Sequence, residues 1–188
     1  PSRTKRLTDH LREEGVQWTP FYGIDAESWG FRTVHPYQLD NPGTSYTAIP
    51  KQIGLHLSHY MLWRQAEALN LDEVTILEDD VLFLPGWKDQ YRVARESVPD
   101  DWDILLLGSG LTEGYPKEIR AGNVWEVWWP QTTHAYIVRK KALETLIKTQ
   151  EYSYAPIDLA LIFRSYPLLR VYTVLPRMAV QHGQEITP

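Results

Sequence analysis

The chain has 188 residues, 43% of them apolar, a formal net charge of −5 and no cysteine. Its length fits one globular domain with a sizeable core, since single domains commonly contain ~100–200 residues, and its charge argues against a nucleic-acid polymer as partner. The lack of thiols excludes disulfides and fits a reducing, cytoplasmic compartment, and no apolar run approaches the ~18 residues of a membrane span, which leaves only a peripheral membrane association open.

The N-terminal part of the chain predicts one helix, one short strand and one long loop. Ser2 is a suitable N-cap for a helix over 2–14, and Gly15 is a suitable stop. Residues 16–24 resemble a short strand in composition. Residues 26–50 have no hydrophobic period, and a loop of this length inside a compact domain is usually functional or mobile.

The middle of the chain alternates helical and strand patterns. Apolar residues at helical spacing predict an amphipathic helix over 51–69, followed by a short strand over 74–77. A second helix is predicted from Trp87 to Ser97. Residues 103–107 are apolar on both faces and predict a central strand that ends at the following Gly-Ser-Gly.

The C-terminal part continues this alternation. We expect strands on either side of a turn at 121–123, a strand at 135–138, helices over 140–148 and 158–165, a strand at 169–175 and an irregular tail over 177–188. Strands that alternate with helices predict an α/β layer fold with a mostly parallel central sheet flanked by helices.

Three consecutive acidic residues, Glu78, Asp79 and Asp80, follow the predicted strand 74–77. Open α/β sheets place ligand crevices at the carboxyl ends of parallel strands, and strand alternation predicts Glu78 and Asp80 on one side and Asp79 on the other. Two carboxylates on one side suit a hard cation such as Mg²⁺ or Mn²⁺ that shares its shell with water and phosphate. The alternative is that these acids only cap the next turn.

Short motifs occur in a fixed order along nearly the whole chain. They are SRTKR at 2–6, FYGID at 21–25, Gly54, LSH at 57–59, Trp63, LEDDV at 77–81, THAYIV at 133–138, PID at 156–158, Pro176 and Gln181. In this order they resemble glycosyltransferase family 25, the group of lipopolysaccharide β-galactosyltransferases and the procollagen galactosyltransferase domain. LSH followed by LEDDV at this interval is the most specific part of the resemblance.

The resemblance implies a GT-A-like fold, a nucleotide-binding α/β sandwich, that transfers a sugar from a nucleotide donor to a hydroxyl of a glycan or other acceptor. Family members are usually inverting and use UDP-galactose. Glu78, Asp79 and Asp80 stand at the DxD-like position, which holds Mn²⁺ or Mg²⁺ against the donor diphosphate. Arg3 and Arg6 are expected to help bind that diphosphate, although a solvated helix face explains them equally well.

Further site residues follow from the same resemblance. Ser58 and His59 are placed near the nucleotide-sugar pocket, although a half-buried pair that packs on the sheet is the alternative. Thr133 and Gln181 are also expected to contact the nucleotide sugar. His182 is a candidate third metal ligand, although a histidine in a tail is more often simply exposed.

An inverting transfer needs a base for the proton of the acceptor hydroxyl, and a carboxylate is the usual choice. Asp158 is the candidate, with an N-cap for the following helix as the alternative. Asp25 and Glu113 are weaker candidates.

Aromatic residues in the segment VWEVWW raise the question of sugar stacking, because an indole face suits the apolar face of galactose. The alternation of Trp125, Trp128 and Trp129 with other residues predicts instead that at least two of the three pack in the core.

The family pattern normally has a short strand ending in Asn-Leu before SRTKR, so we expect a single glycosyltransferase domain over 1–188 that lacks its first β-strand. Two rivals remain open. One is a non-catalytic sugar-nucleotide or glycan-binding relative of the same fold, and the other is a metal-dependent phosphohydrolase that uses the same acidic cluster.

Overall fold

The structure is a computed structural model that describes residues 2–29, 37–38, 45–46, 50–111, 116–119, 123–151 and 156–183. Its helices and strands are α1 (Arg3–Glu13), β1 (Tyr37–Gln38), β2 (Ser45–Tyr46), α2 (Pro50–Ala68), β3 (Glu73–Leu77), β4 (Val81–Phe83), α3 (Trp87–Ser97), β5 (Ile104–Leu111), β6 (Pro116–Ile119), β7 (Val124–Val127), β8 (Pro130–Arg139), α4 (Lys140–Gln150), α5 (Ile157–Ala160), β9 (Val171–Val174) and β10 (Ala179–Gln181). A π-helical turn, Leu161–Ser165, and a 3₁₀ turn, Tyr166–Leu168, follow α5.

The chain divides into two compact units. The first unit contains residues 1–20, 74–138 and 170–188, and the second contains 21–73 and 139–169. In the described part of the chain, no helix is both long enough and apolar enough to cross a membrane.

The central sheet confirms the α/β class but not the predicted strand direction. Its order is β3-β8-β5-β9-β7-β6. Hydrogen bonds from Lys140 to Asp72 and from Glu78 to His134 show that β3 runs antiparallel to β8. Within the described strands, the parallel pair is β5 with β9, whereas β8 with β5, β9 with β7 and β7 with β6 are antiparallel.

The expectation of a mostly parallel sheet is therefore wrong, and the connections explain why. Parallel neighbours need a crossover of a dozen or more residues. The links that join β5 to β6, β6 to β7 and β7 to β8 are only a few residues long. The link from β6 to β7 joins two neighbouring strands and returns the chain in the opposite direction, whereas β5 and its parallel neighbour β9 are separated in sequence by the long stretch that contains α4 and α5.

Several local predictions also change. Residues 16–24 form no strand, because almost all of them are exposed and no neighbouring strand pairs with them. Strand β5 continues through Gly108, Ser109 and Gly110 instead of ending there. The tail contains β10, which pairs antiparallel with β4.

The core of the first unit lies between the sheet and α3. Its members are buried apolar residues, most of them small or branched, such as Val81, Ala94, Leu105, Ile137 and Val174, together with Trp102, Tyr172 and Met178. Ala94 is fully buried, so α3 approaches the sheet closely at this point. Burial of such side chains is the main favourable term in folding.

Helix α1 is attached to this core by specific contacts. Ser2 caps the helix as predicted, because its hydroxyl accepts from the Lys5 N–H at 3.3 Å. His10 accepts from the Phe83 N–H at 2.9 Å, and Glu14 accepts from the Trp87 indole N–H at 2.9 Å. These bonds fix the helix against β4 and the start of α3.

In the second unit α2 packs against α4 and α5. Trp63 is fully buried, and a Cβ on Gly54 would lie 2.3 Å from the Ile24 carbonyl oxygen. Gln150 donates to the Ala160 carbonyl at 3.1 Å and to the Ser165 hydroxyl at 2.7 Å. Gly54 is therefore required by close packing, and Gln150 ties α4 to the turn that follows α5.

Candidate functional site

The three acidic residues lie in a turn between β3 and β4. The turn is closed by a bond from the Val81 N–H to the Glu78 carbonyl at 3.2 Å, and the Glu78 N–H donates to the His134 carbonyl at 2.8 Å. Asp79 is exposed, whereas Glu78 and Asp80 are half-buried. The predicted separation of Asp79 from the other two is therefore present, but the turn produces it and strand alternation does not.

A bulge in β8 brings a second set of side chains to this turn. Gly108 of β5 pairs with Ala135, and Gly110 pairs with Gln131, so three residues of β8 lie opposite Ser109. Such bulges re-aim side chains and are common beside active sites. Thr132 in the bulge has φ of 74°, a strained conformation for a β-branched residue.

Thr133 is the residue of the bulge that meets the acidic turn. Its hydroxyl donates to Glu78 Oε1 at 2.7 Å, and its side chain is almost fully buried. A hydrogen bond from a buried hydroxyl fixes the rotamer of the carboxylate that accepts it. Thr133 thus fixes the orientation of the Glu78 side chain.

Asp80 is half-buried in the turn, and its surroundings disfavour the charged carboxylate. Its side chain is 19% exposed, and its Oδ1 is buried without a hydrogen-bond partner. Burial, followed by the charges of Glu78 and Asp79, raises the pKa of Asp80 above 3.8. The Arg3 guanidinium, 4.0 Å from Asp80 Oδ2, acts in the opposite direction, but it is largely exposed.

The C-terminal segment lies on the other side of the acidic turn. The His182 N–H donates to the Asp80 carbonyl at 2.7 Å, and Gln181 pairs with Val81. The fold therefore brings the main chain of Gln181 and His182 to the acidic turn, and the roles predicted for their side chains stay predictions.

His134, which belongs to the THAYIV motif but was not among the predicted site residues, is a buried neighbour of Thr133. Its Nε2 lies 3.4 Å from the Ala179 carbonyl, and burial lowers the pKa of the imidazole. A Cβ on Gly108 would lie 2.4 Å from this Nε2 and 2.2 Å from the Ala179 oxygen. The absence of a side chain at Gly108 therefore leaves space for the contact between His134 of β8 and Ala179 of β10.

The donors at the turn fit a divalent cation. Carboxylate oxygens are the preferred ligands of Mg²⁺ and suit Mn²⁺, and the buried Asp80 Oδ1 has no hydrogen-bond partner. Among the described residues no three His, Asp or Glu side chains converge as a metal-holding group. Glu78 and Asp80 would thus be two ligands, with water or phosphate oxygens in the rest of the shell, and His182 as a ligand stays a prediction.

The remaining predicted residues have structural contacts of their own. Arg6 is half-exposed on α1, and Glu113 lies outside the described residues. Asp25 accepts from the Ser28 N–H at 3.2 Å. Their proposed roles stay predictions.

Ser58, His59 and Asp158 belong to the second unit. The Ser58 hydroxyl accepts from the Ile24 N–H at 2.8 Å and donates to the Gly54 carbonyl at 2.6 Å, and buried His59 lies beside Trp63. Asp158 is half-buried in the first turn of α5, and it is not the N-cap, which is Pro156. Its Oδ1 accepts from the Leu159 N–H at 2.9 Å.

The expectation for the tryptophans is wrong. Trp128 and Trp129 are 55% and 41% exposed, and Trp125 is half-buried. The two exposed residues lie in the bend between β7 and β8, where the alternation of a strand no longer applies. The two tryptophans are exposed because β7 ends before them and β8 begins after them, and the sequence pattern did not predict these strand ends.

The sequence matches the family "Glycosyltransferase family 25 (LPS biosynthesis protein)" over residues 2–121. A Bos taurus "Probable inactive glycosyltransferase 25 family member 3" is 24% identical over 89% of this chain and 30% of its own length. An Aedes aegypti "Glycosyltransferase 25 family member" is 30% identical over 89% of this chain and 30% of its own length.

A third relative is the human "Procollagen galactosyltransferase 2", which is 22% identical over 88% of this chain and 29% of its own length. The chain thus spans about 30% of the length of the curated relatives that it matches. The family match contains the acidic turn, whereas Thr133, Asp158 and His182 lie beyond it.

Proposed function

We propose, from the premise that this chain belongs to glycosyltransferase family 25, that it transfers galactose from UDP-galactose to a hydroxyl of a glycan or other acceptor. The reaction depends on Mn²⁺ or Mg²⁺ and inverts the anomeric centre. The name of the human procollagen galactosyltransferase supports galactose as the transferred sugar. A nucleotide-binding sandwich of the GT-A type is the fold that we expect to serve this reaction.

One observation carries the proposal: Asp80 Oδ1 is buried without a partner beside Glu78, whose rotamer Thr133 fixes. An unpaired buried carboxylate oxygen is costly, so its retention at this turn favours a bound cation over a purely structural role. A cap for the next turn would leave the carboxylate oxygens bonded to backbone N–H groups.

The residues of the turn have separate tasks in this reaction. Glu78 and Asp80 would hold the divalent ion, which when bound would supply positive charge beside the donor diphosphate. Arg3, near the N-terminus of α1, adds positive charge on the same side of Asp80. Asp158, a residue of the second unit, is the base that the family resemblance suggests for the proton of the acceptor hydroxyl.

A second candidate is a relative that binds a nucleotide sugar or a glycan without catalysis. It is favoured by the names of similar mammalian proteins, such as the "Inactive glycosyltransferase 25 family member 3" of Homo sapiens, 28% identical over 89% of this chain. The lack of a three-residue metal group in the described part of the chain points the same way.

Two measurements separate these candidates. Thermal unfolding is recorded with UDP-galactose, UDP-glucose, a GDP-sugar and a CMP-sugar, each with and without Mn²⁺, because a ligand that binds the folded state raises its stability. Transfer of labelled galactose to a panel of glycans and procollagen peptides is then followed for the wild type and Asp158→Asn.

A transferase shows metal-dependent stabilisation by UDP-galactose and a transfer rate that falls ~10²-fold or more in Asp158→Asn. Binding without transfer to any acceptor assigns the non-catalytic function. Release of inorganic phosphate from the nucleotide would indicate the phosphohydrolase, and no response to any nucleotide sugar would contradict both sugar-nucleotide functions.

A further inference from the structure

Two neighbouring indole side chains lie on the surface of the first unit. Trp128 is 55% exposed and Trp129 is 41% exposed, although tryptophan is among the residues that gain most from burial. Each of the two therefore presents part of its indole ring to solvent in the same bend of the chain. The proposed nucleotide and metal contacts leave this surface without a role.

The backbone beneath these residues is held on both sides. Val127, which precedes them, is 3% exposed, and Pro130, which follows, is buried and pairs with Leu111. The bend between β7 and β8 is therefore anchored at both ends in the sheet. A surface that is fixed before a ligand arrives loses little conformational entropy on binding.

The same strand leads from this bend to the proposed site. Thr133, which bonds to Glu78, follows Trp129 by four residues along β8. Four residues of strand span ~13 Å, which the bulge shortens somewhat. A donor sugar is joined directly to the diphosphate at the acidic turn, so a surface at this separation suits the next sugar, that of the acceptor.

We propose that Trp128 and Trp129 form an acceptor-binding platform on which a pyranose ring stacks through its apolar C–H face. This proposal rests on the proposed function and adds the acceptor's chemical class, a galactose-type or related glycan. The exposed parts of the indole rings provide apolar contact area for the C–H face of a sugar. The chain thus binds its donor by charge and its acceptor by aromatic stacking.

Direct binding of sugars tests the platform without any transfer reaction. Saturation-transfer NMR is recorded for the wild type with methyl β-D-galactopyranoside, lactose and methyl α-D-glucopyranoside in the absence of nucleotide and metal. Trp128→Ala, Trp129→Ala and the double variant are compared with Trp18→Ala. Trp18 is 40% exposed in the same unit and serves as the matched control.

We expect at least one galactoside to bind the wild type and Trp18→Ala equally, and to bind the double variant about tenfold more weakly. Near-UV circular dichroism and the unfolding midpoint check that the variants are folded. A wild type that binds none of the three sugars, or a folded double variant that binds them unchanged, overturns the platform.

A second experiment tests whether the tryptophans contact the acceptor sugar or the galactose of the donor. Calorimetry with Mn²⁺ compares the affinities of UDP-galactose and UDP in the wild type and the double variant. We expect both to be unchanged, whereas a selective loss for UDP-galactose would place the tryptophans at the donor sugar and overturn the assignment to the acceptor. If the wild type does not bind UDP-galactose, the proposed function fails, but the sugar-binding arm still decides the platform.

Discussion

His182 and Asp80 are joined through their main chains, because the His182 N–H donates to the Asp80 carbonyl oxygen at 2.7 Å. The bond continues the pairing of β10 with β4, in which Gln181 lies opposite Val81. The C-terminal segment is therefore a structural part of the acidic turn. A change in either segment is expected to affect the geometry of the other.

The first prediction concerns the charge of Asp80. Because burial and like charges raise its folded-state pKa, the folded protein binds this proton more tightly than the unfolded chain does. The stabilising contribution of protonated Asp80 is then present at low pH and lost as the pH rises through the raised pKa. Without metal at pH 7, we expect Asp80→Asn to raise the melting temperature by about 2 °C.

Melting curves in EDTA between pH 7.5 and 4.5 check this, and the gain should shrink as the pH falls toward the ordinary value of 3.8. Asp79→Asn is the control, with a smaller gain because Asp79 is exposed. With Mn²⁺ and UDP present, Asp80→Asn should lose the metal-dependent stabilisation. If Asp80→Asn melted below the wild type in EDTA, another group would already stabilise the charged Asp80 carboxylate in the folded protein.

The second prediction concerns the orientation of Glu78. Thr133→Val keeps the shape of the side chain but removes the hydroxyl that donates to Glu78 Oε1. We expect Mn²⁺ affinity, measured by calorimetry in the presence of UDP, to fall about tenfold, as is typical when the partner of a metal ligand is lost. Thr133→Ser retains the hydroxyl and should restore most of the affinity, and equal affinities for Val and Thr would contradict the orienting role.

The third prediction concerns close packing at Gly108. In Gly108→Ala the new Cβ would overlap the Ala179 carbonyl oxygen and His134 Nε2, and the backbone oxygen cannot move without disturbing β10. We expect the free energy of unfolding in urea to fall by ~1–3 kcal/mol. Gly23→Ala is the matched control, because its Cβ would make an ordinary contact of 3.5 Å with Ser58 Oγ. Similar stabilities for the two variants would show that the site has room that the structure does not display.

The fourth prediction concerns Ser58 in the second unit. Ser58→Ala removes the acceptor of the Ile24 N–H and the donor to the Gly54 carbonyl. Since the site is buried, we expect a loss of ~1–3 kcal/mol in urea unfolding without nucleotide. The UDP-galactose affinity of the folded variant then tests the role that the family resemblance assigns to Ser58. Unchanged stability would contradict the structural role of its two hydrogen bonds.

The helices were largely predictable because their signals are local. The Ser2 cap, the apolar period of α2 and the Gly86 start of α3 involve residues only a few positions apart, and the structure confirms all three helices within two residues of their predicted ends. The acidic triplet was predictable for a similar reason, since a run of three carboxylates needs no knowledge of the fold.

The sequence alone thus determined the α/β class, most helices, the acidic cluster and the family. Only the tertiary structure decided that the sheet is mostly antiparallel, that the bulge in β8 brings Thr133 to Glu78, that Asp80 Oδ1 is left without a partner, and that Trp128 and Trp129 are exposed. Strand direction, bulges and burial depend on pairing between segments far apart in the chain. The physical reason is that the period of one strand is the same whichever neighbour it pairs with, so its pattern cannot specify that neighbour or the side chains that meet there.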